Sequence, residues 1–170
     1  MDFLQLAHER YSCRKFSNRP VEQEKIDKII ESGMVAPTAV NAQPFKIWVI
    51  KTPSEVEKVA QATPFTFGTS VIFAVGAKNE GAYVRNFDGK NFAEIDASIV
   101  ATQMMLEIHE LGLGSTWVGH FDPAKLRELF PQMKGYEMVA LFPVGYPADD
   151  AKPSDRHEAS KSVEELVEVL

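Results

Sequence analysis

Three cations and a hydroxyl fall within six positions in Arg10-Tyr11-Ser12-Cys13-Arg14-Lys15-Phe16. Side chains alternate along an extended segment, so Arg10, Ser12 and Arg14 point to one side. Paired guanidinium donors match phosphate oxygens, which gives this segment the chemistry of a phosphate clamp. A solvated basic turn is the other reading of the same residues. A second group is Pro37-Thr38-Ala39-Val40-Asn41-Ala42-Gln43-Pro44. Asn41 and Gln43 both donate and accept hydrogen bonds, so with Thr38 they can read the polar edge of a heterocycle. Pro37 and Pro44 lower the entropy cost of presenting them. An ordinary turn has the same composition.

The third group is Leu111-Gly112-Leu113-Gly114-Ser115-Thr116-Trp117-Val118-Gly119-His120. Gly112 and Gly114 fit the first two positions of a dinucleotide-binding fingerprint, but Trp117 occupies the third. The segment also leaves a helix for a strand, whereas a phosphate-cradling loop runs from strand to helix. Gly112 is more simply a helix C-cap. Gly119, at the end of a strand, lets backbone N–H groups approach a flat ligand, or else makes a tight turn.

Other chemistries fit poorly. His8, His109, His120 and His157 form no pair at metal-ligand spacing with one another or with a cysteine. There is no H-E-x-x-H, no G-x-S-x-G and no G-K-[ST]. Cys13 lies among cations that favour its thiolate, but no partner base is visible.

Particular elements must carry these groups. The spacing predicts a helix over Phe3 to Arg10 and a second from Pro20-Val21 through Met34. A strand follows over Phe45 to Ile50, then a helix capped by Ser54 with Glu57 at the capping-box position. The continuous apolar run Ser70 to Gly76 reads as a central strand. Residues 78–91 are polar and aromatic and give no element. A long helix from Phe92 to Leu111 places Asp96, Gln103, Glu107 and Glu110 on one narrow polar face. Its wide apolar arc suggests burial on several sides, as at a subunit interface. Thr116-Trp117-Val118 reads as a strand, and Asp122 caps a helix through Leu129. Glu137 to Gly145 is the last strand, with Pro143 arguing for an edge position or a strand end. A polar tail ends in a short helix, Val163 to Leu170. The interleaved elements indicate an α+β or α/β class without the strict alternation of a doubly wound fold.

The 170-residue length suits a single domain over 1–170, with no repeat or linker. A formal net charge of −6 disfavours nucleic acid and anionic membrane as partners and makes a local arginine cluster more informative. No apolar run is long enough to span a bilayer, and the N-terminus lacks the pattern of a signal peptide. Cys13, the only cysteine, fits a reducing, cytoplasmic location.

Together the three groups resemble the nitroreductase family. Residues 10–16 match its R-x-S-x-R-x-[FY] motif, and residues 37–44 its P-[ST]-x-x-N-x-Q-P loop. Asp96 through Gln103 and Leu111 to Ser115 resemble its central helix and the G-L-G segment after it. Phe142-Pro143-Val144-Gly145-Tyr146-Pro147 resembles its last strand and exit. The resemblance implies an α+β nitroreductase-like fold, with a central mixed sheet flanked by helices. It implies a homodimer with exchanged terminal segments and two FMN sites at the interface. Arg10, Ser12 and Arg14 would bind the phosphate and ribityl chain, with Arg156 and Lys161 adding phosphate contacts. Pro37, Thr38, Asn41 and Gln43 would come from the other subunit and line the ring and ribityl. The backbone at Gly119 and His120 would lie near flavin N5, with no catalytic side chain. NADH or NADPH would give hydride, and a nitroaromatic, quinone or similar small acceptor would take electrons in a ping-pong cycle. A specialised dehalogenating or dehydrogenating reductase and a non-enzymatic flavin store or sensor are the rivals. Residues 77–91 offer little of the helical insertion that covers the flavin in larger relatives, leaving the pocket open or shaped by Tyr83, Arg85 and Phe87.

Overall fold

The computed structural model describes residues 2–170. Its sheet is centred on β2 (Val71–Ala77), where every residue is apolar and buried, as a strand covered on both faces requires. β1 (Phe45–Ile50) pairs with one side of β2 and β4 (Glu137–Gly145) with the other, both antiparallel. β3 (Gly114–Ser115) adds to β4 opposite Val144 and Gly145, giving the order β1-β2-β4-β3. All three strand pairs are antiparallel, so the sheet is not the mixed one expected; the parallel Ser12–Ser115 pairing is an isolated bridge outside the strands.

Pro143 sits on an interior strand rather than an edge, but two residues from its end, the other position expected. Leu141 N–H donates to Val118 O at 3.0 Å, so Pro143, two residues on, turns its nitrogen to the same side. There the ladder lapses between the Val118–Leu141 bridge and β3, and no hydrogen bond is lost.

One face of the sheet is covered by α4 (Ala93–Glu110) and α2 (Gln23–Met34). Ile26, Ile29, Val100, Met104 and Ile108 pack there against Phe73 and Phe142. On the other face, α3 (Pro53–Val59) and α5 (Pro123–Leu129) bring Val59 and Leu126 onto Ile72 and Leu141. Each such side chain contributes about 1.5–3 kcal/mol by leaving water. α1 (Phe3–Glu9) lies against α4, and α6 (Val163–Leu166) forms one turn in the tail.

Several boundaries differ from expectation. Thr52, not Ser54, is the N-cap of α3, because Pro53 is already shaped for a first helical turn; Thr52 Oγ1 donates to Glu55 Oε2 at 2.8 Å. Asp122 caps α5 as expected, accepting from the N–H groups of Ala124 and Lys125. Thr116 to Val118 is not a strand: pairing is confined to Gly114–Ser115, and Val118 makes an isolated bridge. α2 starts at Gln23, after Pro20 and Val21. The expected 163–170 helix stops after one turn despite a Ser162–Glu165 capping box, leaving Val167, Val169 and Leu170 exposed. A turn that short with nothing packed on it does not propagate. Residues 78–91 form an exposed turn closed by a Val84–Asn91 bridge and an Arg85–Asp88 ion pair, with Phe87 98% exposed.

The polar face expected on α4 faces solvent only at its C-terminal end, where Glu110 is exposed and Glu107 half-buried. Asp96 is buried, and Gln103 Nε2 donates to Ser32 O of α2 at 2.9 Å. The stripe α4 leaves open also includes Ile95 and Ile99, each 39% exposed, beside Ser98 and Thr102. With Phe3, Leu6 and Val35 it lines a groove of about 1060 Å³ with an apolar floor and a charged rim that includes Lys28, Glu94, Glu107 and Glu110.

Candidate functional site

The first half of the site is built on the β3 edge. Arg10 is the C-cap of α1, and the extended chain from it onward is tied to β3 by the Ser12–Ser115 bridge and by Cys13 N–H donating to Ser115 O at 2.8 Å. Cys13 is fully buried against Gly114, while Arg10, Tyr11 and Ser12 are half-buried and Arg14 and Lys15 are exposed. Burial is the main force pushing the Tyr11 phenol above its ordinary pKa, with the Cys13 thiol adding to it. Behind Arg10, burial lowers the His109 pKa; Glu9 opposes that shift and Arg10 reinforces it.

The two glycines at this edge have different causes, a backbone turn for Gly112 and the close approach of Cys13 for Gly114. Gly112 adopts φ +73 as the residue after the α4 C-cap, and Leu113 N–H reaches back to Ile108 O at 3.0 Å. At Gly114 an added Cβ would lie 2.7 Å from Cys13 Cβ and 2.9 Å from its Sγ. Gly114→Val should therefore push the arginine segment off the sheet edge. The expected loss of about 1–3 kcal/mol of stability can be measured by denaturant titration, and an unchanged midpoint would contradict the packing.

Arginine pairing separates the cations. Arg19, Arg85 and Arg127 each meet a carboxylate: Glu22, Asp88 and Glu137. Among the described residues, Arg10, Arg14 and Arg156 have none within 4.0 Å. Arg14 Nη1 makes only a 3.2 Å contact with Ser12 O. The tail is drawn to the same place. His157, next to Arg156, sets its Nε2 3.0 Å from His8 O and its ring edge-on to Tyr11 at 6.3 Å. Lys161 is not brought in by any such contact and lies 3.9 Å from Glu165. Lys15 is engaged by Asp150.

Gly119 lies four residues past Ser115, at most about 13 Å along the chain. It is exposed, and a Cβ there would meet nothing within 4 Å, so packing within the chain does not demand a glycine. His120 stands beside a loop that the sequence reading passed over. Thr63 Oγ1 donates to His120 O at 2.7 Å, and the Phe65 ring lies edge-on to His120 at 5.6 Å with Phe67 5.9 Å beyond. The signal in the sequence was an aromatic pair, Phe65 and Phe67 in Pro64-Phe65-Thr66-Phe67-Gly68, at strand spacing but flanked by Pro64 and Gly68, which leave no room for a strand.

The second half, residues 37–44, is a strained turn. Val40 (φ 49), Asn41 (φ 55) and Gln43 (φ 50) are left-handed, at about 1–2 kcal/mol per residue. Thr38 braces it: its O accepts from Asn41 N–H at 2.9 Å and its Oγ1 from Gln43 N–H at 3.1 Å. Gln43 Nε2 donates to Asn41 Oδ1 at 3.2 Å. Pro37, Asn41 and Gln43 are exposed and Thr38 is half-buried. The Ala39 N–H donates to Asp96 in the first turn of α4.

The two halves do not meet within one chain. Residues 37–44 sit at the start of α4 and lead into β1, while Arg10 and Gly114 sit at the end of α4 and beside β3. An eighteen-residue helix is about 27 Å long, so no small ligand bridges them. Among the described residues no cluster of His, Cys, Asp or Glu could hold a metal ion, and no helix is long and apolar enough to cross a membrane.

The nitroreductase family model matches residues 7–64 and 62–146. The chain belongs to the nitroreductase family. A nitroreductase family protein from Clostridium difficile 630 is 35% identical, with a TM-score of 0.91 over 99% of this chain and 98% of that one. A putative NADH dehydrogenase/NAD(P)H nitroreductase of Methanothermobacter thermautotrophicus is 29% identical, over 91% of this chain and 82% of that protein. A nitroreductase from Desulfovibrio desulfuricans, solved in complex with FMN, is 26% identical with a TM-score of 0.78, over 96% and 94% of the two chains. The fold is the nitroreductase fold, as the sequence resemblance implies.

Proposed function

We propose that this chain is an FMN-dependent oxidoreductase that takes hydride from NADH or NADPH and passes electrons to a nitroaromatic, quinone or similar small acceptor in a ping-pong cycle. Its unit would be a cytoplasmic homodimer of single-domain chains with exchanged terminal segments. One observation carries the reading: the three arginines that lack an acidic partner are those at the family's phosphate positions. In a chain of net charge −6, unpaired guanidiniums beside an extended backbone suit a dianion.

The donor set fits FMN. Arg10, Arg14 and Arg156 would hold the phosphate, Ser12 would take a ribityl or phosphate oxygen, and Lys161 would join as the tail settles. The backbone at Gly119 and His120 leaves room for a planar ring. Pro37, Thr38, Asn41 and Gln43 of the partner subunit would line the ring and its polar edge, because a chain's own copy is a helix length away. FMN, when bound, supplies the redox chemistry at N5, and the protein contributes binding, orientation and exclusion of water.

The purified protein should be yellow, with stoichiometric FMN. Anaerobic NADH or NADPH should bleach the visible flavin band, and a nitroaromatic or quinone should restore it. Bound FMN that neither nucleotide reduces would instead identify a store or sensor. A colourless protein that ignores added FMN would end the flavin reading.

A further inference from the structure

The carboxylate of Asp96 has no role in the clamp, yet it is the one buried side-chain group, among the described residues, with an unsatisfied oxygen. The residue is 1% exposed. Its Oδ1 accepts the Ala39 N–H at 2.9 Å, and its Oδ2 has no partner. A buried acceptor left unpaired is unfavourable, and neighbouring Ala93 and Ala97 show that this part of α4 packs with alanine. What Asp96 adds is the bond to Ala39, at the entry to the turn whose next residues are left-handed.

Three non-glycine residues in that conformation persist only where surrounding contacts over-determine them. Thr38 closes the turn internally, but those bonds move with the loop. Asp96, fixed on a helix in the core, is the anchor from outside. We propose that Asp96 is a positioning residue, whose carboxylate holds the 38–43 turn left-handed so that Asn41 and Gln43 face the cofactor; this rests on the flavin reading above. Without the anchor, Val40 and Asn41 relax toward negative φ, and both amide side chains swing away from the shared site.

Two readouts on the full chain test this, one free of flavin. Amide hydrogen exchange over residues 38–43 is followed in flavin-stripped wild type, Asp96→Ala and Asp96→Asn. FMN affinity and the shape of the bound flavin's visible band are measured on the same proteins. Asp96→Ala should speed exchange at Asn41 and Gln43 and weaken FMN binding, each by about tenfold or more, and move the band toward that of free FMN. Asp96→Asn keeps an oxygen for the Ala39 N–H, so both readouts should stay close to wild type, a rescue that loss of packing would not give. If Asp96→Ala does not fold, Ala39→Pro removes the donor from the other end of the same bond and should reproduce the loss. Unchanged exchange in the alanine or proline variant would overturn the anchor. Faster exchange with unchanged affinity and spectrum would overturn the positioning claim. Wild type that binds no FMN would sink the flavin reading instead, and exchange alone would then decide the anchor.

Discussion

Replacing Arg10 and Arg14 together by alanine is expected to strip the protein of FMN. Each guanidinium in the proposed clamp makes a charge-assisted bond worth about 1.5–3 kcal/mol, so the pair removes roughly two to four decades of affinity. The effect should fall on binding rather than folding. Neither arginine has a carboxylate partner, Arg14 is exposed and Arg10 is half-buried, so truncation orphans no buried charge. Fluorescence titration of stripped protein with FMN measures the loss, and thermal unfolding of the stripped protein checks the fold. The Lys15→Ala variant is the control, since Lys15 is already engaged by Asp150 and should change affinity little. A double variant that still purified with a full complement of flavin would remove the phosphate clamp from consideration.

What made the clamp legible was spacing. Arg10, Ser12 and Arg14 at alternate positions need only an extended backbone to share a side, and a local property of that kind survives in sequence. The lack of carboxylate partners was not legible: Glu22 and Asp88 lie three residues from Arg19 and Arg85, but whether a distant carboxylate reaches an arginine, as Glu137 reaches Arg127, depends on where it falls in space. The same distinction runs through the fold. β2 was clear because a strand buried on both faces must be apolar throughout, and α4 was clear from eighteen residues free of glycine and proline. β3 was misplaced by two residues because Thr116-Trp117-Val118 has the better strand propensity. What fixes the edge is the N-terminal segment docking on Gly114, a contact about a hundred residues away in sequence. Asp96 was read as part of a polar helix face, since nothing local says that the Ala39 N–H, 57 residues earlier, will cover it.

The second large effect concerns the open stripe of α4. Ile99→Glu is expected to dissociate the proposed homodimer and to reduce FMN binding to what the phosphate clamp alone supplies. A twofold interface presents the same patch twice, so one substitution removes two isoleucines, each worth about 1.5–3 kcal/mol of burial. It also sets two carboxylates against apolar surface, which adds a desolvation penalty. Dimer affinity should fall by about three decades or more, which equals about 4 kcal/mol. Sedimentation at micromolar concentration would then find a monomer. Within one chain Ile99 is 39% exposed on the groove, so the monomer should stay folded, with a far-ultraviolet spectrum like wild type. The loss of flavin follows from the separation of the two half-sites. In the proposed dimer, antiparallel α4 helices across a twofold axis would bring the start of one beside the end of the other, and with them residues 37–44 of the partner subunit beside Arg10 and Gly119. A folded Ile99→Glu monomer has a clamp without the amides that read the ring, and should bind FMN no better than by its phosphate. A monomeric variant that kept wild-type FMN affinity would mean that one chain makes the whole site, and the division of the site between subunits would be wrong.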